Sequence, residues 1–234
     1  MQTACEPEYI TATFIRELKN RFLCEVEIDG EHVVCYVPSS CHLSNFLELE
    51  GKKVLLIPTQ AKNARTQYAL FAVPYKKSYI ILNTSMANRA VENSIHSRRF
   101  SALGKRKTVT KEHYVEDYKS DLFIEDTNTI VEIKSVISIS KQTLFPTVFS
   151  ERSLKQLAKL KDLLNEGYRI CYMIVSLNPY VKTVTISKET SFFSELSDCL
   201  KQGMFLSAYS CRLEKGKILI NRKIQIKMED STNE

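Results

Sequence analysis

The chain has 234 residues, of which 44% are hydrophobic and 26% charged, and carries a formal net charge of +6. That size allows one large domain or two small ones, and the composition excludes a disordered, collagen-like or coiled-coil protein. A mild basic excess points toward a polyanionic partner without identifying it. The seven cysteines include no Cys-x-x-Cys pair. The first ten residues lack the basic and apolar regions of a signal peptide, and runs such as Ile170–Val175 are far too short to span a bilayer. The expectation is a cytoplasmic protein with no membrane partner and reduced, mostly buried thiols. A zinc site from Cys35, Cys41 and His42 is the sharper reading of the cysteines, but their spacing matches none of the usual structural zinc patterns.

Residues 9–83 read as strands. Phe22, Cys24, Val26 and Ile28 alternate with polar or exposed positions, the period-two signature of a half-buried strand. Asp29-Gly30 is a strong hairpin signal, and folding there sets Val33, Cys35 and Val37 opposite Val26, Cys24 and Phe22. A short helical piece is expected at Leu43–Leu49, then strands at Lys53–Ile57, Gln67–Val73 and Ser78–Leu82. So many short strands in about 75 residues suggest a small barrel, with the OB-fold the most economical choice. Residues 85–119 read as helix, loop and helix, with eight cations against four carboxylates. Strands follow at Asp121–Glu125 and Ile130–Ser138, around the turn residues 126–129. Glu151–Asn165 reads as a helix capped by Ser150 and closed at Gly167, with Leu154, Leu157, Leu160 (or Ala158) and Leu164 as its apolar stripe. Arg169–Val175 is a continuous apolar strand of the fully buried kind. A further helix, about Phe192–Gln202, and strands Met204–Leu213 and Ile218–Ile226 complete an α/β layer. The division is 1–84 barrel, 85–227 α/β domain and 228–234 disordered tail.

Chemistry concentrates at Asp121, Glu132 and Lys134. Glu132 and Lys134 are two apart on one strand and share a face, and the 126–129 turn folds Asp121 back toward them. Two carboxylates in close array repel unless a cation sits between them. Mg²⁺ suits oxygen ligands with room left for phosphate, and the lysine is placed to orient or deprotonate a water. The plainer reading is a solvated Glu-x-Lys pair on a sheet face. Three features favour chemistry: the Asp lies across a hairpin, a basic helix precedes it, and a helix bearing Lys155 and Gln156 follows.

In order and spacing the chain resembles the sugar fermentation stimulation protein A family. The resemblance rests on Asn20-Arg21-Phe22, Asp29-Gly30, Val37-Pro38, Arg65-Thr66-Gln67-Tyr68, Asn83-Thr84, Asn88, Asp121, Val131-Glu132-Ile133-Lys134-Ser135-Val136, Phe145-Pro146, Ser150-Glu151-Arg152, Lys155 and Leu157. It implies an OB-fold joined to a nuclease domain of the PD-(D/E)xK type. By that resemblance, Asp121, Glu132 and the Ile133 carbonyl are metal ligands for Mg²⁺ or Mn²⁺. Lys134 is the catalytic lysine, Lys155 contacts phosphate or orients the site, and Glu112 or Glu116 is the early acid on the first nuclease helix. Arg21 and Arg65 on the barrel and the run Lys105-Arg106-Lys107 are candidate contacts to DNA or RNA. Tyr36 is expected to cover Leu23 across the hairpin.

The implied reaction is metal-dependent phosphodiester hydrolysis. The alternative is a DNA-binding regulator of sugar metabolism with a vestigial nuclease fold, which suits the departures from the family pattern at Cys41, Thr147 and Gln156. A third reading, a structural protein with a surface Glu–Lys pair, predicts neither metal nor nucleic-acid binding. Homodimer formation is left open.

Overall fold

A computed structural model describes residues 9–20, 22–38, 42–45, 48–59, 64–148 and 150–230. The first half contains β1 (Ile10–Glu17), β2 (Leu23–Ile28), β3 (Glu31–Tyr36), a 3₁₀ turn at Leu43–Asn45, β4 (Lys53–Pro58), β5 (Tyr68–Tyr75) and β6 (Ser78–Ile81). Strand order β3-β2-β1-β4-β5 closes through a parallel bridge between Tyr36 and Ala69, giving a five-stranded barrel of OB type. Asp29 (φ 52°) and Gly30 (φ 86°) both take positive φ, the requirement of the two-residue hairpin turn that matches strand twist. The register follows: Val26 faces Val33 and Cys24 faces Cys35. Cys24, Val26, Cys35 and Val37 are buried, whereas Phe22, expected on the same face, is 39% exposed. The helical piece expected at 43–49 is a single 3₁₀ turn in its described part.

The second half contains α1 (Met86–Ser94), a 3₁₀ segment (Arg98–Leu103), β7 (Val109–Lys111), β8 (Tyr114–Val115), β9 (Tyr118–Lys119), β10 (Leu122–Ile124) and β11 (Thr129–Val136). Then come β12 (Gln142–Leu144), α2 (Glu151–Asn165), β13 (Arg169–Ser176), β14 (Thr183–Ser187), α3 (Ser191–Lys201), β15 (Phe205–Glu214), β16 (Lys217–Lys223) and β17 (Gln225–Glu229). A mixed sheet runs β16-β15-β13-β11-β10-β7, its three central strands parallel. A small parallel sheet, β12-β14-β17, flanks it.

Sequence and structure agree closely at α2. The Ser150 hydroxyl accepts from the Ser153 amide, satisfying one of the free N–H groups of the first turn. Gly167 follows the last turn at φ 93°. Leu157, Leu160 and Leu163 are buried against β13, with Leu154 and Leu164 at the margin. The second helix expected within 85–119 is absent. Val109–Lys119 instead forms β7, β8 and β9, because Glu112 (φ 47°) and Glu116 (φ 51°) are left-handed turn positions that no helix accommodates. Val115 and Tyr118 then bury on one side of the short hairpin, in the core under α2. The last strand expected is two. Ile224 divides β16 from β17, and β17 takes in Met228 and Glu229 of the supposed tail; residues 231–234 lie outside the described residues.

Alternation along β11 sorts the cores. Val131 and Ile133 face a core shared by α1 and the barrel residues Leu55, Phe71, Ala72 and Ile81. Ile130 and Val136 face a second core under α2 and α3. The barrel is tied to the sheet by backbone as well, through the Ile81 amide and the Leu177 carbonyl at 3.0 Å.

Candidate functional site

Glu132 and Lys134 leave β11 on the α2 side, the same side as Ile130 and Val136. The β10–β11 register pairs Leu122 with Val131, so Asp121, one residue earlier, comes opposite Glu132. The hairpin thus unites the three residues that the sequence singled out.

Each carboxylate is held by named donors. Asp121 Oδ2 accepts from the Ile133 amide at 2.7 Å, and Oδ1 accepts from Asn88 Nδ2 of α1 at 2.8 Å. Glu132 is 3% exposed. Its Oε2 accepts from the Tyr118 hydroxyl at 2.5 Å and its Oε1 from Lys134 Nζ at 2.6 Å. Lys134 Nζ also donates to Gln156 Oε1 at 2.7 Å, and Gln156 Nε2 returns to Glu132 Oε1 at 3.4 Å. Burial, with the charge of Glu132 second, pushes the Asp121 carboxyl up to about 6, against the opposing pull of the Ile133 amide, Asn88 and Lys134. Burial and then the same Glu132 charge push the Tyr118 hydroxyl upward. Tyr118 therefore stays protonated and remains the donor.

A cleft of about 510 Å³ opens beside Asp121, lined by Asn88, Arg89 and Glu92 of α1 and by Lys111 and Glu112. Glu92 pairs with both Lys111, at 2.5 Å, and Arg89, at 3.5 Å. Arg89 and Lys111 thus bring positive charge to the cleft beside Asp121.

The remaining sequence candidates fall elsewhere. Lys155 is exposed on α2, and its neighbour Gln156 is the α2 residue whose side chain reaches the cluster. Neither early acid lies on a helix: Glu112 is a turn residue with a 75% exposed side chain paired to Lys119 at 2.6 Å, and Glu116 is an exposed turn residue. The helix that does touch Asp121 is α1, through Asn88. No basic helix leads into Asp121. Residues 105–107 lie at the opposite end of β10: Lys105 pairs with Asp126 at 3.1 Å, and Asp126 also accepts from the Lys107 amide at 2.7 Å. Arg106 is occupied by the carbonyls of Ile95, at 2.8 Å, Ser97 and Gly104. Arg65 is exposed just before β5, and Arg21 lies outside the described residues. Tyr36 stands across from Leu23 as expected, but is 42% exposed.

Of the proposed zinc ligands, Cys35 is fully buried with its thiol pushed up to about 11 by burial. His42 faces Glu17 at 3.3 Å, and Cys41 lies outside the described residues. Among the described residues no group of three or more His, Cys, Asp or Glu side chains is arranged to hold a metal.

Sequence reasoning missed Tyr118 and Asn88 as members of the site. Tyr118 was hidden by the helix assignment. Asn88 lies 33 residues before Asp121, and only its place among the family-matching residues marked it.

The comparisons with known proteins agree with this architecture. Residues 17–82 match the family model for the SfsA N-terminal OB domain, and residues 85–217 match that for the sugar fermentation stimulation protein RE domain. The chain is 24% identical over 227 residues to the sugar fermentation stimulation protein homolog of Desulforamulus reducens, covering 95% of this chain and 94% of that protein. It is 28% identical over 223 residues to the homolog of Caldanaerobacter subterraneus, covering 93% and 96% respectively. The structure of Pyrococcus furiosus SfsA in complex with Ca²⁺ matches with a TM-score of 0.79 over 94% of this chain and 96% of that one, at 19% identity, a likeness of fold. On the two matched models together, the chain belongs to the sugar fermentation stimulation protein family, with an OB-type barrel followed by a nuclease-like RE domain.

Proposed function

We propose that this protein binds DNA or RNA and hydrolyses phosphodiester bonds at Asp121, Glu132 and Lys134 with a divalent cation, Mg²⁺ or Mn²⁺. The observation that carries the reading is the juxtaposition of two shielded carboxylates and a lysine at a β-hairpin, beside an open cleft bearing Arg89 and Lys111. The donor set fits such a cation. Both carboxylates offer hard oxygens, and the upward shift at Asp121, caused first by burial and second by the charge of Glu132, is one that a shared cation would oppose. The Ile133 carbonyl would add a third oxygen. The Pyrococcus furiosus relative was solved in complex with Ca²⁺, another oxygen-seeking divalent ion.

When bound, such a cation acidifies a water and neutralises charge on the phosphate. The chain's own residues supply the rest. The Ile133 amide and Asn88 fix the Asp121 carboxylate, and Tyr118 fixes that of Glu132, so both are oriented before substrate arrives. Lys134 uses two of its three N–H donors on Glu132 and Gln156. The third is left for the attacking water or a phosphate oxygen. Arg89 and Lys111 meet the substrate backbone. The described cysteines, all free and buried, support a reducing cytoplasmic setting.

The test is incubation of the purified chain with single- and double-stranded DNA and RNA in Mg²⁺ or Mn²⁺, beside Glu132→Gln and Lys134→Ala. Cleavage should vanish in both variants, and its persistence would place the activity elsewhere. One observation favours the non-catalytic alternative: every oxygen of both carboxylates already has a protein donor, as in a self-satisfied structural network. That reading expects affinity for nucleic acid that Glu132→Gln leaves intact, and no cleavage with any metal.

A further inference from the structure

Where the barrel meets the second domain, a groove of about 380 Å³ is lined by Lys77 of the β5–β6 turn and Ser78 at the start of β6, by Pro179 and Tyr180 after β13, and by Arg212, Glu214, Asn221 and Arg222 of β15 and β16. It lies at the C-terminal end of β15 and just after β13, and none of its lining residues lines the cleft beside Asp121, whereas Glu132 sits within β11, opposite Tyr172. It is therefore separate from the Asp121 cluster.

The groove is rich in donors. Lys76 Nζ stands 5.2 Å and 5.1 Å from the ring centroids of Tyr75 and Tyr180, clamping two aromatic rings that meet edge to face. The Tyr180 hydroxyl accepts from the Lys77 amide at 3.2 Å, so its own proton is left to donate. Arg222 spends one N–H on the Pro179 carbonyl at 2.9 Å, leaving the rest of its guanidinium to the groove. Within 71–81 and 212–223 the one acidic residue is Glu214, and Arg212 already neutralises it at 2.7 Å. With Glu214 held by Arg212, the donors that remain on Lys77, Arg222 and the Tyr180 hydroxyl select an anion. The basic character continues along β16, an edge strand carrying Lys217 and Lys223. A line of cations drawn from two domains fits a repeating polyanion better than a single small anion.

We infer that this seam is a second nucleic-acid contact, in which Lys77, Arg212, Arg222 and the Tyr180 hydroxyl hold backbone phosphates of the bound strand. The inference rests on the nucleic-acid-binding part of the proposed function and is independent of cleavage.

The test uses the full chain in EDTA, so that binding is read without hydrolysis. Affinity for fluorescent DNA and RNA oligonucleotides is measured across a salt series for wild type, Lys77→Glu, and the triple variant Lys77→Gln/Arg212→Gln/Arg222→Gln. The Lys77 side chain makes no hydrogen bond or ion pair among the described residues, so Lys77→Glu tests the seam even if the triple variant folds poorly. Each lost phosphate contact should flatten the log K against log salt slope by about 0.7 to 0.9. The triple variant should bind at least tenfold more weakly near 0.1 M salt. Wild-type binding with unchanged affinity and slope in Lys77→Glu and the triple variant overturns the seam contact and leaves the proposed function standing. Failure of wild type to bind any oligonucleotide overturns both.

Discussion

Two ion pairs in this protein have the same length and different surroundings. Lys134–Glu132 and Lys119–Glu112 both close at 2.6 Å, but side-chain exposure is 21% and 4% in the first pair, against 46% and 75% in the second. Coulomb attraction at fixed distance grows as the local dielectric falls, and so does the penalty for leaving one partner alone. Lys134→Met strands the Glu132 carboxylate with only Tyr118 and Gln156 as donors. We expect it to lose about 3 kcal/mol, the low end for breaking a buried pair. Glu132→Gln should lose less, about 1 to 2 kcal/mol, because Lys134 retains Gln156, partial solvent access and the nearby Asp121. The double variant removes both charges and should lie within about 1 to 2 kcal/mol of wild type, since an apolar replacement of a buried pair is often close to neutral.

The coupling energy is therefore expected at about 2 to 4 kcal/mol. The parallel cycle at Lys119 and Glu112 should return nothing above error, as exposed pairs commonly do. The assay is urea unfolding of the four variants of each cycle at neutral pH in EDTA, with m-values checked for constancy. Equal coupling in the two cycles would refute the argument, because burial would then not be what strengthens the inner pair.

Three further outcomes follow from the same structure. The Asp121 carboxyl sits at about 6 in the folded protein against 3.8 ordinarily, so between those values the folded state keeps a proton that the unfolded chain has released. Without metal, stability should fall as pH rises from about 4 to about 6, by up to about 3 kcal/mol at 1.36 kcal/mol per unit; Asp121→Asn should flatten that slope in urea titrations at stepped pH, and Mg²⁺ should stabilise wild type alone. Leu157→Ala, at a fully buried position on α2, should cost about 2 to 5 kcal/mol in urea unfolding, against about 1 kcal/mol for Ser150→Ala at the cap. Arg106→Gln removes donors from three backbone carbonyls; it should lower the melting temperature and leave the salt dependence of nucleic-acid binding unchanged.

Local signals were readable wherever one chemical rule dominated. Asp29-Gly30 permits the positive φ of its turn, and Ser150 and Gly167 bracket a regular apolar stripe. The spacing of Glu132 and Lys134 puts both on one face of β11, with Ile133 on the other. The sequence failed where tertiary context chose between weak preferences. Val109–Lys119 holds Glu, Lys and Asp residues that a helix tolerates, but its Val115 and Tyr118 gain more by burying under α2 as a hairpin. β12 is three residues, too short to show a period, whereas β14 and β17 do alternate, with Val184 and Ile186 and with Ile226 and Met228, but over five residues each and in a small separate sheet. Asn88 and Tyr118 reach the site through chain reversals that no spacing encodes.

The misplaced helix matters most for the charge. Read as helix, loop and helix, residues 85–119 bring most of the chain's +6 to the neighbourhood of Asp121. Only 109–119 departs from that reading, as short strands, and Lys105 and Arg106 lie at the far end of β10, where Asp126 and backbone carbonyls absorb them. Of this segment, Arg89 and Lys111 line the cleft beside Asp121, and both lean on Glu92. On the proposed function, a bound phosphodiester would compete with Glu92 for both cations, and that carboxylate would act as a brake on substrate affinity. Glu92→Gln should release them and tighten binding to DNA or RNA in EDTA, with a steeper salt dependence. Weaker binding would mean that Glu92 serves to hold the two cations in place rather than to occupy them.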